Sequence, residues 1–297
     1  MIKNLNSLME HVRLNKKKTI AVAVAEDSEI LQVVDQSRKY QLAEFILVGN
    51  KTEICRIMEE CDITIECKIV NEPDHKRAAE QAVELVVDGH VDGIMKGSMH
   101  TSVFLKAVLN KEKGINAGKL ISQVSLFDKE MDDGLQLLTD CAMAIQPTLD
   151  EKKQIIENAV ELAISIGYDY PKVALLSALE VVNSAIPDTI EAAALSKMGD
   201  RGQIKNAIID GPFALDNAIS IEAAKHKGIS GEVAGKADIL VVPNLQVGNI
   251  LTKALTFYAH KDVASAVIGA KVPIILTSRT DSIKNKLLSI ALASYIS

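Results

Sequence analysis

The chain has 297 residues, 48% of them hydrophobic and 24% charged, with a net charge of −6 and only 3% aromatics. That length gives room for one large or two ordinary domains with real cores, and the composition excludes a disordered chain. An acidic chain without tryptophan also argues against a nucleic-acid partner, because phosphate backbones call for a basic field and bases for aromatic platforms. No run approaches the roughly 20 apolar residues needed to span a bilayer. The N-terminal segment around KKK lacks the apolar core and cleavage pattern of a signal peptide, so a cytoplasmic protein with no membrane partner is expected. Cys55, Cys61, Cys67 and Cys141 form no CxxC and have no His at ligand spacing; reduced thiols are expected rather than a metal centre.

TIAVAVA (19–25) reads as a buried strand, and the amphipathic segment 28–43 as its helix. The pattern repeats in EFILVG (44–49) with helix 51–61, in ECKIV (66–70) with helix 74–89, and in VDGIMKG (91–97) with helix 100–110. ISQVSLFD (121–128) and LQLLTDCAMAI (135–145) read as two successive strands and break the alternation. It resets after Pro147, with helix 149–168, strand PKVALLS (171–177) and helix 189–198. AIID (207–210), ADILVVP (237–243) and PIILTS (273–278) follow as strands with helices between, and helix 282–295 closes the chain. Continuous apolar strands separated by helices mean mostly parallel sheets covered on both faces. The expected class is α/β with two α/β domains, a boundary near 140–150, and a binding cleft between the halves.

Polar chemistry gathers at the strand ends, where open α/β sheets bind ligands. Ser278 and Arg279 follow the last strand. A guanidinium meets oxyanions bidentately and keeps its charge, so the pair suits phosphate or another small oxyanion. MKGSMHTS brings Lys96, Gly97, Ser98, His100 and Thr101 to a helix start, where backbone N–H groups attract anions; plain helix capping explains the same residues. In DGPFALDNAIS, a sharp turn is expected at Asp210-Gly211-Pro212. Asp216 beyond it is either a proton acceptor or an Asx-turn cap, with no acid cluster to complete a divalent-metal site. In PNLQVGNIL, Gly248 would let backbone approach a ligand while Asn244 and Asn249 offer amide donors; ordinary loop chemistry is the alternative. Walker, GxGxxG and GxSxG signatures are absent. What remains is an oxyanion-binding enzyme with no obvious covalent nucleophile.

These blocks resemble the phosphate acetyl/butyryltransferase family. The matching segments are MKGSMHT, LLTDCAMAI, TIEAAALSKMGDRGQIKNAIIDGPFALDNAIS, GEVAGKADILVVPNLQVGNI and LTSRTDS, and the chain is most similar to the butyryl branch. The resemblance implies reversible conversion of an acyl-CoA and phosphate to an acyl phosphate and CoA. It implies no metal and no permanently bound cofactor, with coenzyme A as substrate and a homo-oligomeric state. It further implies two α/β domains of the isocitrate/isopropylmalate dehydrogenase type, with residues 1–140 and 268–297 in the first and 141–267 in the second. The family's active-site pair falls on Ser278 and Arg279. Its proposed base position, seven residues after the serine, is occupied by Asn285. An amide cannot serve as a base near neutral pH, which leaves Asp281 and Asp216 as candidates, with Asp140 behind them. N–H groups over 97–101 would hold phosphate, and Lys96 or Lys106 would meet the acidic CoA tail. Two alternatives stand beside this expectation: acetyl-CoA as the substrate, and metal-dependent hydroxy-acid dehydrogenation on the same fold.

Overall fold

The structure is a computed structural model that describes residues 2–130 and 134–297. It divides into two compact units. A terminal unit comprises Leu5–Lys119 with Val263–Ser297, and a central unit comprises Met1–Asn4 with Leu120–Asp262.

The terminal unit opens with α1 (Leu5–Leu14), β1 (Thr19–Ala23), α2 (Ser28–Lys39), β2 (Glu44–Gly49) and α3 (Lys51–Glu60). It continues with β3 (Lys68–Asn71), α4 (His75–Val87), β4 (Gly93–Lys96) and α5 (Thr101–Val108). The chain returns to it with β10 (Ala264–Ile268), β11 (Ile274–Ile275) and α11 (Ile283–Ile296). Its strands lie in the order β3-β2-β1-β4-β11-β10. All neighbours are parallel except β10, which is antiparallel to β11. The helices start where short polar side chains accept an N–H three residues on, as Asp27, Asn50 and Asp74 do. α11 is apolar nearly all round, which makes it a core helix; every residue from Asn285 to Ser294 is buried. Two of its polar side chains fasten the start of the returning chain. Asn285 Oδ1 accepts the Val263 N–H at 3.1 Å, and Ser289 Oγ accepts the Ser265 N–H at 2.9 Å.

The central unit holds β5 (Ser122–Asp128), β6 (Leu135–Thr139), α6 (Leu149–Ser165), β7 (Lys172–Leu176) and α7 (Pro187–Asp200). β8 (Ile208–Phe213), α8 (Leu215–Ile219), α9 (Ile221–His226), β9 (Ile239–Val241) and α10 (Leu245–Lys253) follow, and α10 runs into a π-helical turn at Ala254–Tyr258. The strand order is β5-β6-β9-β7-β8, parallel except for the β5–β6 pair. Pairing of β6 with both β5 and β9 draws β5 into this unit. The units part at 119/120 and 262/263; helix–strand rhythm pointed to a boundary near 140–150, and the family resemblance to a return of the chain at 268.

Two local expectations are corrected. The strand expected over 135–145 stops at Thr139, because the Asp140 carboxylate draws the following amides into a turn. β8 continues through Asp210-Gly211-Pro212 instead of turning there. The β7–β8 register shifts between Ala174 and Leu176, and β8 is an edge strand, where proline is tolerated. Gly211 is needed for the close approach, since a Cβ there would lie 2.7 Å from Leu175 Cβ.

Candidate active site

In the terminal unit the chain runs outward from β1 through β2 to β3, then returns to place β4 on the other flank of β1. The carboxyl ends of β1 and β4 thus form a topological switch point, the usual ligand position in such sheets. The two ends meet closely. Val24 is buried with φ at 61°, an outlying conformation for a β-branched residue. Its carbonyl accepts the Ser98 N–H at 2.7 Å, while Gly97 N–H donates to Ala23 O at 2.9 Å. A Cβ on Gly97 would stand 2.1 Å from Val24 O, so only glycine fits.

That closeness changes the expected phosphate cradle. The N–H groups of Gly97, Ser98 and Met99 are already engaged, the last with Gly97 O at 2.9 Å. The groups left at the start of α5 belong to His100, Thr101 and Ser102, all exposed. His100 occupies the N-cap position with an extended backbone and makes no side-chain cap. Lys96 is half-buried and donates to Gly97 O and Met99 O, both at 3.1 Å. It therefore braces the loop. Burial lowers the Lys96 pKa, the charges of Arg279 and Lys286 lower it further, and Asp27 opposes them.

Ser278 and Arg279 stand exposed just beyond β11, the neighbour of β4. Asp281 Oδ2 accepts the Ser278 N–H at 2.7 Å, and Ser278 Oγ lies 3.0 Å from Thr280 Oγ1. Asp281, expected as a base, is thus the carboxylate that shapes this turn. Among the described residues Arg279 makes no hydrogen bond or ion pair, although its charge is felt at Lys96. Asn285 has its amide oxygen on Val263 N–H, which gives it a structural task. Lys106 lies exposed on α5, along a 610 Å³ groove where Lys76, Lys106 and Lys113 are matched by Glu80, Glu84 and Glu112.

In the central unit, Asp140 is only 3% exposed. Its Oδ1 accepts N–H groups from Gln123, Ala142 and Met143 at 3.1, 3.0 and 3.2 Å, and Oδ2 accepts that of Ala144 at 2.9 Å. Burial raises its pKa against the pull of those bonds. Asn244 caps α10 through Val247 N–H at 3.1 Å. Gly248 is buried, and a Cβ there would meet Asp140 O at 2.5 Å and Cys141 Cα at 3.0 Å. It lets α10 lie on the chain, which is a packing role. Asn249 is exposed on α10. Asp216 is exposed and paired with Lys227 at 3.3 Å. Burial pushes the Cys141 thiol up to about 12, which removes it as a nucleophile at neutral pH.

Sequence reasoning named Lys96, for the CoA tail, and Arg279, for the oxyanion, but missed Lys286 and Glu29. A partial signal was present: a lysine next to the apolar run of a core helix is a candidate for burial, and a buried lysine calls for a partner. Lys286 is 2% exposed and forms an ion pair with Glu29 of α2.

The family model described as phosphate acetyl/butaryl transferase matches residues 4–81 and 65–294. The chain belongs to that family. It is 46% identical over 297 residues to the phosphate butyryltransferase of Clostridium acetobutylicum, covering 100% of this chain and 99% of that protein. It is 43% identical over 290 residues to the phosphate acetyltransferase of Thermotoga maritima, covering 98% of each. The crystal structure of a branched-chain phosphotransacylase from Enterococcus faecalis superposes with a TM-score of 0.83 at 35% identity, over 94% of this chain and 98% of that one. As a family member the chain is an acyltransferase.

Proposed function

We propose that the protein transfers a short acyl group, butyryl for preference, reversibly between coenzyme A and inorganic phosphate. The observation that carries this is Arg279: a full guanidinium fork without a partner among the described residues, exposed at a strand end and electrostatically close to a second cation, Lys96. The Arg279 and Lys96 charges repel each other, Asp27 offsets this only in part, and a bound oxyanion relieves the remaining cost. The relatives named for butyryl and acetyl transfer support the chemistry.

Phosphate held by Arg279 and by the N–H groups that open α5 would place an oxygen against the thioester carbonyl carbon. The new C–O bond forms as the carbonyl becomes an oxyanion, for which Ser278 Oγ is a donor. Collapse then breaks the C–S bond and releases the CoA thiolate. A thiol with a pKa near ~8.5 leaves as thiolate with little acid assistance, and dianionic phosphate is itself the nucleophile. A separate general base is therefore dispensable, consistent with an amide at Asn285 and with Asp281 engaged on Ser278 N–H. Holding both reactants in one complex makes a covalent acyl-enzyme unnecessary.

With this function come finer expectations carried by the family resemblance. They are a two-domain isocitrate/isopropylmalate dehydrogenase-like fold, a cytoplasmic homo-oligomer, and work on CoA and phosphate with no permanently bound cofactor. The test is thiol release from butyryl-CoA and acetyl-CoA, each with and without phosphate. Phosphate-dependent release favouring butyryl-CoA is expected. Preference for acetyl-CoA would keep the reaction and overturn the acyl assignment; release independent of phosphate would overturn the reaction.

A further inference from the structure

We propose that Lys286 is a positioning residue for the oxyanion: a buried cation, held by Glu29, that strengthens phosphate binding at the neighbouring Arg279 and Lys96 without touching the reacting atoms. The proposal rests on the acyl-transfer function for the identity of the anion.

Lys286 sits in the first turns of α11, directly after the Ser278–Arg279 turn, and is 2% exposed. Its only partner among the described residues is Glu29 Oε1. An ammonium has three donors, so two are left without a protein acceptor in a position closed to solvent. Removing such a charge from water is costly, and a single carboxylate offsets it only in part. Glu29 is itself 42% exposed. Water therefore screens the negative partner far more than the positive one, and the pair's net field toward its surroundings is positive. The pair lies at the site by position. Glu29 is in the first turn of α2, directly past the carboxyl end of β1, where Ala23 stands opposite Lys96. The Lys286 charge adds to the causes that lower the Lys96 pKa. Any group that feels Lys286 as repulsion when cationic feels it as attraction when anionic.

The test uses the full-length protein and separates field from scaffold. Lys286→Met and Glu29→Gln both break the same ion pair, yet their electrostatic effects have opposite sign. Lys286→Met should raise the phosphate KM about tenfold while changing kcat less than about threefold. Glu29→Gln should leave the phosphate KM at or below the wild-type value, and Lys286→Arg should restore it to within about threefold. If both charge-removing variants raised the phosphate KM alike, or Lys286→Met left it unchanged, the pair would be a structural strut and the proposal overturned. Inorganic phosphate titrated in thermal melts gives a readout independent of turnover. There the phosphate-induced rise in Tm should shrink in Lys286→Met and persist in Glu29→Gln and Lys286→Arg. An enzyme with no phosphate-dependent thiol release but this pattern of melts would lose the proposed reaction and keep the role of Lys286. No phosphate-induced shift in the wild type would overturn that role as well.

Discussion

At the strand ends of the central unit, Asp140 gathers four backbone N–H groups, Asn244 caps α10, and Gly248 lets that helix lie against the Asp140–Cys141 backbone. At the strand ends of the terminal unit, Arg279 has no partner among the described residues and the His100 side chain leaves its helix uncapped. Both regions offer glycine, short polar residues and a carboxylate where parallel strands stop. They differ in what remains after internal hydrogen bonding. Polar groups satisfied by the fold stabilise it and have little left for a ligand. Donors left over beside a second cation are the ones that can bind an anion.

The sharpest way to break this contrast is Arg279→Lys. Loss of the bidentate fork should lower kcat/KM on the order of 100-fold, while stability stays within about 0.5 kcal/mol because the side chain holds nothing in place. Steady-state kinetics beside a urea melt would check both halves, and near-normal turnover would remove Arg279 from the site. Gly248→Ala should behave in the opposite way. Its Cβ would come 2.5 Å from a backbone oxygen, so a loss of about 1–3 kcal/mol in unfolding free energy is expected, with phosphate KM unchanged in the folded fraction. A large rise in that KM at unaltered stability would return Gly248 to the ligand site. Asn244→Ala should cost about 1 kcal/mol through the lost cap, again without effect on phosphate KM.

The smallest effect concerns pH. The Lys96 pKa lies below its ordinary value because of burial first and the Arg279 charge second. As pH climbs through that lowered value the ammonium loses its proton, the positive field falls, and phosphate binds more weakly. The phosphate KM should therefore rise on the alkaline side before free lysine would titrate. Lys96→Arg, which keeps its charge, should move that limb upward and lower the KM about threefold at its far end. An alkaline limb unmoved by this change would assign it to another group.

Much of the architecture was legible because periodicity is local. EFILVG over 44–49 is β2 residue for residue, and the 149–168 pattern is α6 with its last three residues in the following turn. α1, beside a basic run, and β10 were not read as elements. The Ser278–Arg279 pair was legible because an arginine directly after a buried strand has no covered place to go. Lys286 could have been found by asking where a charge inside α11 would go. The tasks of Gly248, Asn244 and Asn285 could not, because each depends on a backbone group distant in the sequence or on which groups a turn already engages.

The sequence by itself determined the alternation of strands and helices, the family blocks and the chemical types available at the strand ends, because these follow from side-chain character and short-range spacing. Tertiary structure alone decided which of those groups remain available. The N–H groups of Gly97 and Ser98 are consumed by carbonyls of the β1 end, Asn285 is consumed by the chain returning at Val263, and Lys286 is carried to Glu29 at the start of α2, its single partner among the described residues. Hydrogen bonds and charges act between neighbours in space, and neighbours in space are set by strand order, which no local pattern contains.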